Sequence, residues 1–370
     1  MKVAFLIGSL NSGGAETLLL DILQHYSQLP FDVILIHRKG GDYLPDFEMT
    51  GCSIYNVSLH KWHFFRYLLN LRKLIIRQHV DIIHAHFGLN AILGCLAMLG
   101  TGIKIITTYH GFSGYASSLH LKNKMEYVAS FVCSNQLCFV SDFQKRGYEH
   151  NFRYWMKEKS IVLYNGINMC KFNTSSSLSS SNALSTMDDN AIKLCMVGNF
   201  TSVRSQIVIC KALALLNNKI HIYFIGKRAN NEEWRYDECV RYCEEHNLIN
   251  VHFLGGRNDV PELLQQMDGF VYSTANDTFG IALVEAMAAG LPVVTNDHPV
   301  VKEITHNGQW ATLYESGNAE DCANKIEDLL NNLEVRKEEA QGVAKQVRKE
   351  YSIEKHIERL NDVYRLVIRG

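Results

Sequence analysis

Two carboxylates, Asp277 and Glu285, stand with seven residues between them in Asp277-Thr278-Phe279-Gly280-Ile281-Ala282-Leu283-Val284-Glu285. The run Gly269-Phe270-Val271-Tyr272-Ser273 before them reads as a buried strand. From Gly280 to Ala289 the apolar residues and alanines read as a helix, which Gly290 stops and Pro292 follows before Val293-Val294 open another strand. A helix that starts beside glycine offers unpaired N–H groups and a positive dipole end to an anion. Because Cβ atoms lean toward the amino end of a helix, Glu285 can reach back toward whatever is held there. The N–H groups of Phe279, Gly280 and Ile281, with Thr278 beside them, are expected to face phosphate, and Glu285 to face hydroxyls. Such a site suits a phosphorylated sugar or a ribose. The plainer reading makes both acids complements of the helix dipole, but it requires neither Gly280 nor the upstream strand.

A second glycine turn, Gly13-Gly14, follows the apolar run Val3–Ile7, with Glu16 opening the next helix. Glycines there let backbone approach a diphosphate closely, although a plain strand-to-helix turn has the same composition. A phosphate-binding Walker loop needs Lys where this chain has Gly14, and the Gly-x-Gly-x-x-Gly dinucleotide fingerprint is absent. A nucleoside-triphosphatase and an NAD-dependent oxidoreductase are therefore disfavoured. His110 closes Thr107-Thr108-Tyr109-His110-Gly111 at a strand end, where an imidazole can donate or accept a proton. Among 16 histidines a single one is structural by default, and His84 in Asp81-Ile82-Ile83-His84-Ala85-His86 reads as packing. Cys239 and Cys243 lie one helical turn apart without the second pair that zinc requires.

Lys plus Arg number 37 against 38 for Asp plus Glu, a balance that argues against a nucleic-acid partner. The ten cysteines form no paired framework, so reduced thiols in a cytoplasmic setting are expected. The opening apolar run is short and is broken at once by Gly8-Ser9, unlike a signal peptide, and no run is long enough to cross a bilayer. Lys61-Trp62-His63-Phe64-Phe65-Arg66-Tyr67, with Arg72, Lys73 and Arg77, is a basic and aromatic segment. It suits a peripheral contact with an anionic membrane, or an ordinary amphipathic surface helix.

Strand-like runs alternate with helix-length segments throughout. Val3–Ile7, Val33–Ile36, Ile82–His84, Ile103–Thr107 and Leu137–Val140 fall in the first half. Lys193–Val197, His221–Ile225, Val251–Leu254, Gly269–Tyr272 and Val293–Thr295 fall in the second. Glu16–Tyr26, Phe64–His79 and Trp234–His246 are among the helical segments. This pattern predicts an α/β chain with parallel sheets and crossover helices. The serine-rich stretch 173–190 reads as a linker between an amino-terminal domain, 1–172, and a carboxyl-terminal one, 191–350. Two Rossmann-like halves joined there would hold ligands in a cleft at the carboxyl ends of their strands.

The carboxylate–seven–carboxylate signature, with the motifs around Gly13-Gly14, His84-Ala85-His86, His110, Tyr164-Asn165-Gly166, Val197-Gly198-Asn199-Phe200 and Phe253-Leu254-Gly255, resembles the retaining glycosyltransferases of family 4. Taken in order, these motifs span nearly the whole chain. The resemblance implies the GT-B fold, two Rossmann-like domains facing across a cleft, and a terminal helix, 351–370, that crosses back to the first domain. It implies transfer of a sugar from a nucleotide-diphosphate donor, UDP- or GDP-linked, to an acceptor hydroxyl of a sugar or lipid-linked saccharide. Surface polysaccharide or glycolipid synthesis would be the setting, and domain closure around the donor is expected. His110 matches a histidine near the reacting carbon, Arg204 a phosphate-binding lysine, Glu285 the acid that takes the ribose hydroxyls, and Arg257 lies in the loop near the base. Asn199 stands where the family has arginine. Asp277 stands where it more often has glutamate; as a catalytic acid it keeps the charge but is one methylene shorter, so its reach to the donor sugar's hydroxyls must come from the backbone. Both departures leave room for a non-catalytic binder of nucleotide sugars, and the same architecture serves epimerases and phosphorylases. No Asp-x-Asp metal cluster occurs, and neither metal nor cofactor is expected, protein cations and dipoles taking that role.

Overall fold

The computed structural model describes residues 1–11, 13–59, 63–111, 121–156, 158–172, 191–216 and 220–369. The linker assigned to 173–190 lies outside them, as do Lys61 and Trp62. The chain divides into two compact units, Met1–Ile167 with Ile353–Gly370, and Asn168–Ser352. Asn168–Phe172, placed by composition in the first domain, therefore sorts with the second unit. There the buried Phe172 accepts a hydrogen bond from Gln265 at 3.4 Å.

The first unit runs β1 (Lys2–Ile7), α1 (Gly14–Gln24), β2 (Asp32–His37), α2 (Leu44–Glu48), β3 (Ser53–Asn56), α3 (Phe64–Arg77), β4 (Ile82–His86), α4 (Gly88–Ala97), β5 (Lys104–Tyr109), α5 (Leu121–Cys133), β6 (Gln136–Phe139), α6 (Asp142–Met156) and β7 (Ser160–Val162). Its seven strands are parallel in the order β3-β2-β1-β4-β5-β6-β7. Because side chains alternate across a strand, Val3, Phe5 and Ile7 feed one core with α1, while Ala4 and Leu6 feed another with Tyr67, Leu71 and Ile75 of α3. Burial on both faces is what makes these strands read as continuous apolar runs.

The second unit runs β8 (Ile192–Val197), α7 (Gln206–Leu213), β9 (Ile220–Ile225), α8 (Trp234–Glu245), β10 (Val251–Gly255), α9 (Val260–Leu264), β11 (Gly269–Tyr272), α10 (Ile281–Ala288), β12 (Val293–Asn296), α11 (Pro299–Ile304), β13 (Thr312–Tyr314), α12 (Ala319–Asn331) and α13 (Leu333–Glu350). Its parallel order is β10-β9-β8-β11-β12-β13. The last helix, α14 (Ile353–Arg369), returns to the first unit. Ile353, Ile357, Leu360, Tyr364 and Val367 recur every three or four residues and enter the core that holds Leu18, Leu19 and Phe31. Burying each contributes at most about 1.5–3 kcal/mol.

In each sheet the strand order reverses next to the first strand, between β1 and β4 and between β8 and β11. Open parallel sheets take ligands outside the carboxyl ends of their strands at such points. Gly13 and Gly14 follow β1, and Asn199, Arg204 and Asp277 follow β8 and β11 at these points, whereas His110 follows β5 and Arg257 follows the edge strand β10.

Candidate functional site

In the second unit the turn after β8 is stitched to the turn after β11. Ser205 donates its N–H to Ser273 O at 3.1 Å, Ala275 to Val203 O at 2.9 Å, and Thr274 Oγ1 to Val203 O at 2.7 Å. This seam carries Arg204 to Asp277, with Nη1 2.8 Å from Oδ2. The Arg204 side chain lies over Gly198, where an added Cβ would fall 2.9 Å from Nε, so a glycine is needed for the guanidinium to seat.

Both oxygens of Asp277 are engaged. Oδ2 also accepts from the Tyr272 hydroxyl at 2.6 Å, while Oδ1 accepts the N–H of Thr278 at 2.8 Å and, more distantly, that of Phe279 at 3.5 Å. Burial opposes ionisation of Asp277. The Arg204 charge, the Tyr272 hydroxyl and the two N–H groups outweigh it and hold the carboxyl below its ordinary range. Burial keeps the Tyr272 phenol neutral although Arg204, 5.1 Å from its ring centre, favours the anion. The result is a charged Arg204 fixed from one side in a dry setting. Its Nε is buried without an acceptor.

The helix predicted from Gly280 begins one residue later, because Gly280 is its cap in the left-handed region at φ 90°. Only glycine takes that conformation without strain. Thr278 and Phe279 turn their N–H groups to Asp277, so the amino end that remains for an anion is that of Gly280, Ile281 and the residues after them. Glu285 lies half-buried one turn into α10.

Asn199 replaces an expected cation with a structural bond. Its Oδ1 accepts the Lys227 N–H at 2.8 Å, and Phe200 N–H donates to Lys227 O at 3.0 Å, so the side chain prolongs the β8–β9 ladder past its end. Lys227 thereby enters beside the turn, its stem over Gly256. Asn199→Arg gives up this bond for a charge. We expect it to lower stability by about 1 kcal/mol, seen as an earlier urea midpoint; an unmoved midpoint would mean the bond counts for little. Arg257 is engaged within its own loop, forked onto Asp259 at 2.8 and 2.5 Å.

In the first unit His110, just past β5, sets Nε2 2.8 Å from His86 Nδ1 and stacks on that ring with centroids 5.1 Å apart. His86 in turn stacks on His84 at 4.6 Å, and Phe5 meets both edge-on. His84 Nδ1 pairs with the Tyr364 hydroxyl of α14 at 2.6 Å, and its Nε2 with Thr108 Oγ1 at 2.7 Å. Burial first, then neighbouring histidines, push His84 and His110 down to about 3. The cluster is neutral at pH 7, so His110 can offer or accept a hydrogen bond but brings no charge. At Gly13-Gly14 the Glu16 carboxylate folds back, 2.6 Å from where a Gly13 Cβ would stand, and burial raises its pKa. An acid thus covers the turn expected to meet phosphate.

Sequence reasoning missed Tyr272, which closes β11 and fixes Asp277, and Lys227, which follows β9; neither carries a local motif. His298 was missed too. It caps α11, and among its influences is the Asp277 charge, although burial lowers its pKa overall.

Residues 12–170 match the family described as Glycosyltransferase Family 4, and residues 183–348 the one described as Glycosyl transferases group 1. An uncharacterized glycosyltransferase of Methanocaldococcus jannaschii is 25% identical over 86% of each chain. The UDP-Gal:alpha-D-GlcNAc-diphosphoundecaprenol alpha-1,3-galactosyltransferase of Escherichia coli is 27% identical over 74% of each. Among solved structures, Anabaena HepE in complex with UDP and glucose superposes with TM-score 0.86 at 18% identity, over 98% of this chain and 99% of that one. WaaG, a glycosyltransferase involved in lipopolysaccharide biosynthesis, superposes with TM-score 0.71 at 17% identity over 98% and 99%.

Proposed function

Because this chain belongs to the group 1 glycosyltransferases of GT-B fold, we propose that it moves a sugar from a nucleotide-diphosphate donor to an acceptor hydroxyl with retention of configuration. The observation that carries this reading is the Arg204–Asp277–Tyr272 network beside the Gly280-capped start of α10, at the reversal point of the second sheet. Cleavage of the sugar–phosphate bond places charge on the departing diphosphate. A fixed guanidinium and a helix amino end stabilise that charge as it develops, with no reorganisation needed during the step. In this reading they also supply the positive charge that a metal ion would otherwise bring.

Asp277 acts through Arg204 as a positioning residue, and Glu285 holds the ribose hydroxyls. His110, neutral, hydrogen-bonds the donor sugar. The printed names of relatives direct the first choice of donor: HepE is solved with UDP and glucose, and the Escherichia coli relative uses UDP-galactose.

A thermal-shift screen of UDP- and GDP-linked sugars tests the reading, since a ligand that binds the native state raises its melting temperature. Glu285→Ala should weaken the stabilising nucleotide sugar roughly 10–100-fold, the worth of a hydrogen bond to a charged group. An unchanged shift in that variant would remove Glu285 from the donor site. Product anomer analysis by NMR separates retention from inversion, and donor turnover without any acceptor would point to an epimerase.

A further inference from the structure

His86 and His110 meet through one short contact, His86 Nδ1 to His110 Nε2 at 2.8 Å, with their ring planes within 18° of parallel. Two neutral imidazoles at that distance share a single proton, because two lone pairs repel and two N–H groups collide. The surroundings of His86 decide which ring gives it. His86 is 2% exposed, and its other nitrogen, Nε2, is buried with no hydrogen-bond partner. The rings of Phe5 and His84 pack beside it, with centroids 5.7 and 4.6 Å away. If His110 were the donor, His86 Nδ1 would have to accept, and the proton of His86 would sit on Nε2 with nothing to bond. A buried donor left unmet costs about 1–3 kcal/mol. With the proton on Nδ1 instead, Nε2 keeps only an unfilled lone pair. Native interiors show the same preference in the backbone, where an orphaned N–H is rarer than an under-satisfied acceptor. A doubly protonated His86 is ruled out by burial, which holds its pKa well below the ordinary value. His84 is under no such constraint, since its partners are the Tyr364 and Thr108 hydroxyls, which can donate or accept.

We propose that His86 is a positioning residue whose Nδ1–H donates to His110 Nε2 and so holds His110 in the tautomer that carries its proton on Nδ1. The part this plays in transfer rests on the reading in which His110 meets the donor sugar, whereas the tautomer rests on the two rings alone. Both nitrogens of His110 are then occupied: Nε2 receives the proton of His86, and Nδ1 carries its own. No lone pair is left on the ring, so His110 gives a hydrogen bond to a sugar oxygen and does not take the proton of a hydroxyl. The sheet builds this pair. Register sets His86 of β4 opposite Thr108 of β5, and His110, two residues further on, falls on the same face. His110 is half-buried while His86 lies inside, so the outer ring is the one offered to a ligand and the inner one its support.

The test is a long-range nitrogen–proton correlation spectrum of the full-length chain with isotopically labelled histidine at neutral pH, in which protonated and bare ring nitrogens resonate apart. His110→Gln identifies the His110 signals by their loss. Wild-type His110 should carry its proton on Nδ1 and leave Nε2 bare; a proton on Nε2 overturns the proposal. His86→Leu removes the donor, and the partnerless nitrogen with it, at similar volume, so it should fold, which its melting curve checks. In that variant the His110 proton should move to Nε2, the form a histidine side chain favours in water. Affinity for the nucleotide sugar that stabilises the wild type should fall by up to about 10-fold, as for loss of one neutral hydrogen bond, while affinity for the nucleoside diphosphate alone should hold. An unchanged His110 tautomer in His86→Leu overturns His86 as its cause. Equal losses for the two ligands overturn the positioning role, since a merely structural change would weaken both. Failure of the donor reading would appear separately, as wild-type protein whose His110 tautomer stands but which no nucleotide sugar stabilises.

Discussion

Arg204→Ala should cut sugar transfer roughly 10²–10³-fold, the usual cost of removing a preformed group that meets developing charge. The same change should also lower stability by about 3–5 kcal/mol, because Asp277 is left ionised and buried without its counter-charge. These two effects can be separated. Arg204 and Asp277 are 2.8 Å apart in a largely buried site, and a buried ion pair replaced on both sides by apolar residues of similar volume often costs little. The double variant Arg204→Met, Asp277→Leu should therefore recover most of the lost stability in urea titrations while remaining as inactive as Arg204→Ala. Asp277→Asn alone keeps the cation but frees its position, so turnover should fall while donor affinity changes less. A double variant that transfers sugar at the wild-type rate would show that the pair only holds the turns after β8 and β11 together. The proposed charge stabilisation would then fail.

The strands of both sheets were legible where both faces are buried. Val3–Ile7, His221–Ile225 and Gly269–Tyr272 are unbroken apolar runs, since a parallel strand covered by helices has no solvent face to alternate with. The strands β3, β7 and β13 were not legible. Ser53-Ile54-Tyr55-Asn56, Ser160-Ile161-Val162 and Thr312-Leu313-Tyr314 are three or four residues long and mostly half-buried at sheet edges, so they carry too little pattern to read. The site divides in the same way. Gly280 and the two acids around α10 were visible because one local segment holds strand, turn and helix start. That Arg204 meets Asp277 was not, because their contact depends on β8 lying beside β11, a matter of sheet order. Asn199 looked like a missing charge and proved to be a ladder residue, since its partner, the Lys227 N–H, comes from the next strand. The histidine cluster was visible only as two motifs. The parallel register pairs His86 with Thr108, which brings His110 alongside, and α14 adds a residue from nearly the end of the chain.

That cluster sets the acid limit of the first unit. His84, His86 and His356 are each no more than 3% exposed, and His356 bonds to Tyr164 O at 2.7 Å through Nδ1. Burial above all holds His84 down to about 3, His356 down to about 4 and His86 well below its ordinary value. In the unfolded chain these rings titrate near 6.5. Their contribution is therefore complete above about pH 6.5 and drains away as pH falls toward the native values, because the unfolded state takes up protons that the native state refuses. Each such proton costs about 1.4 kcal/mol per pH unit, so three buried rings impose a slope of up to roughly 4 kcal/mol per unit near pH 5. Against a typical stability of about 5–15 kcal/mol, that slope, counted from about pH 6.5, is enough to unfold the unit roughly two to four units below neutrality. Urea titrations at pH 7.5, 6 and 5 should show the midpoint collapsing over this range, with transfer activity lost in step with structure. His356→Gln, which keeps a side-chain donor for Tyr164 O, should flatten the slope by about one proton. Should that variant and the wild type lose stability at the same rate between pH 6 and 5, His356 contributes nothing to the acid sensitivity of the fold. Carboxylates such as Asp277 do not account for a loss in that window, since a depressed pKa costs stability only as pH falls below the ordinary carboxylate range.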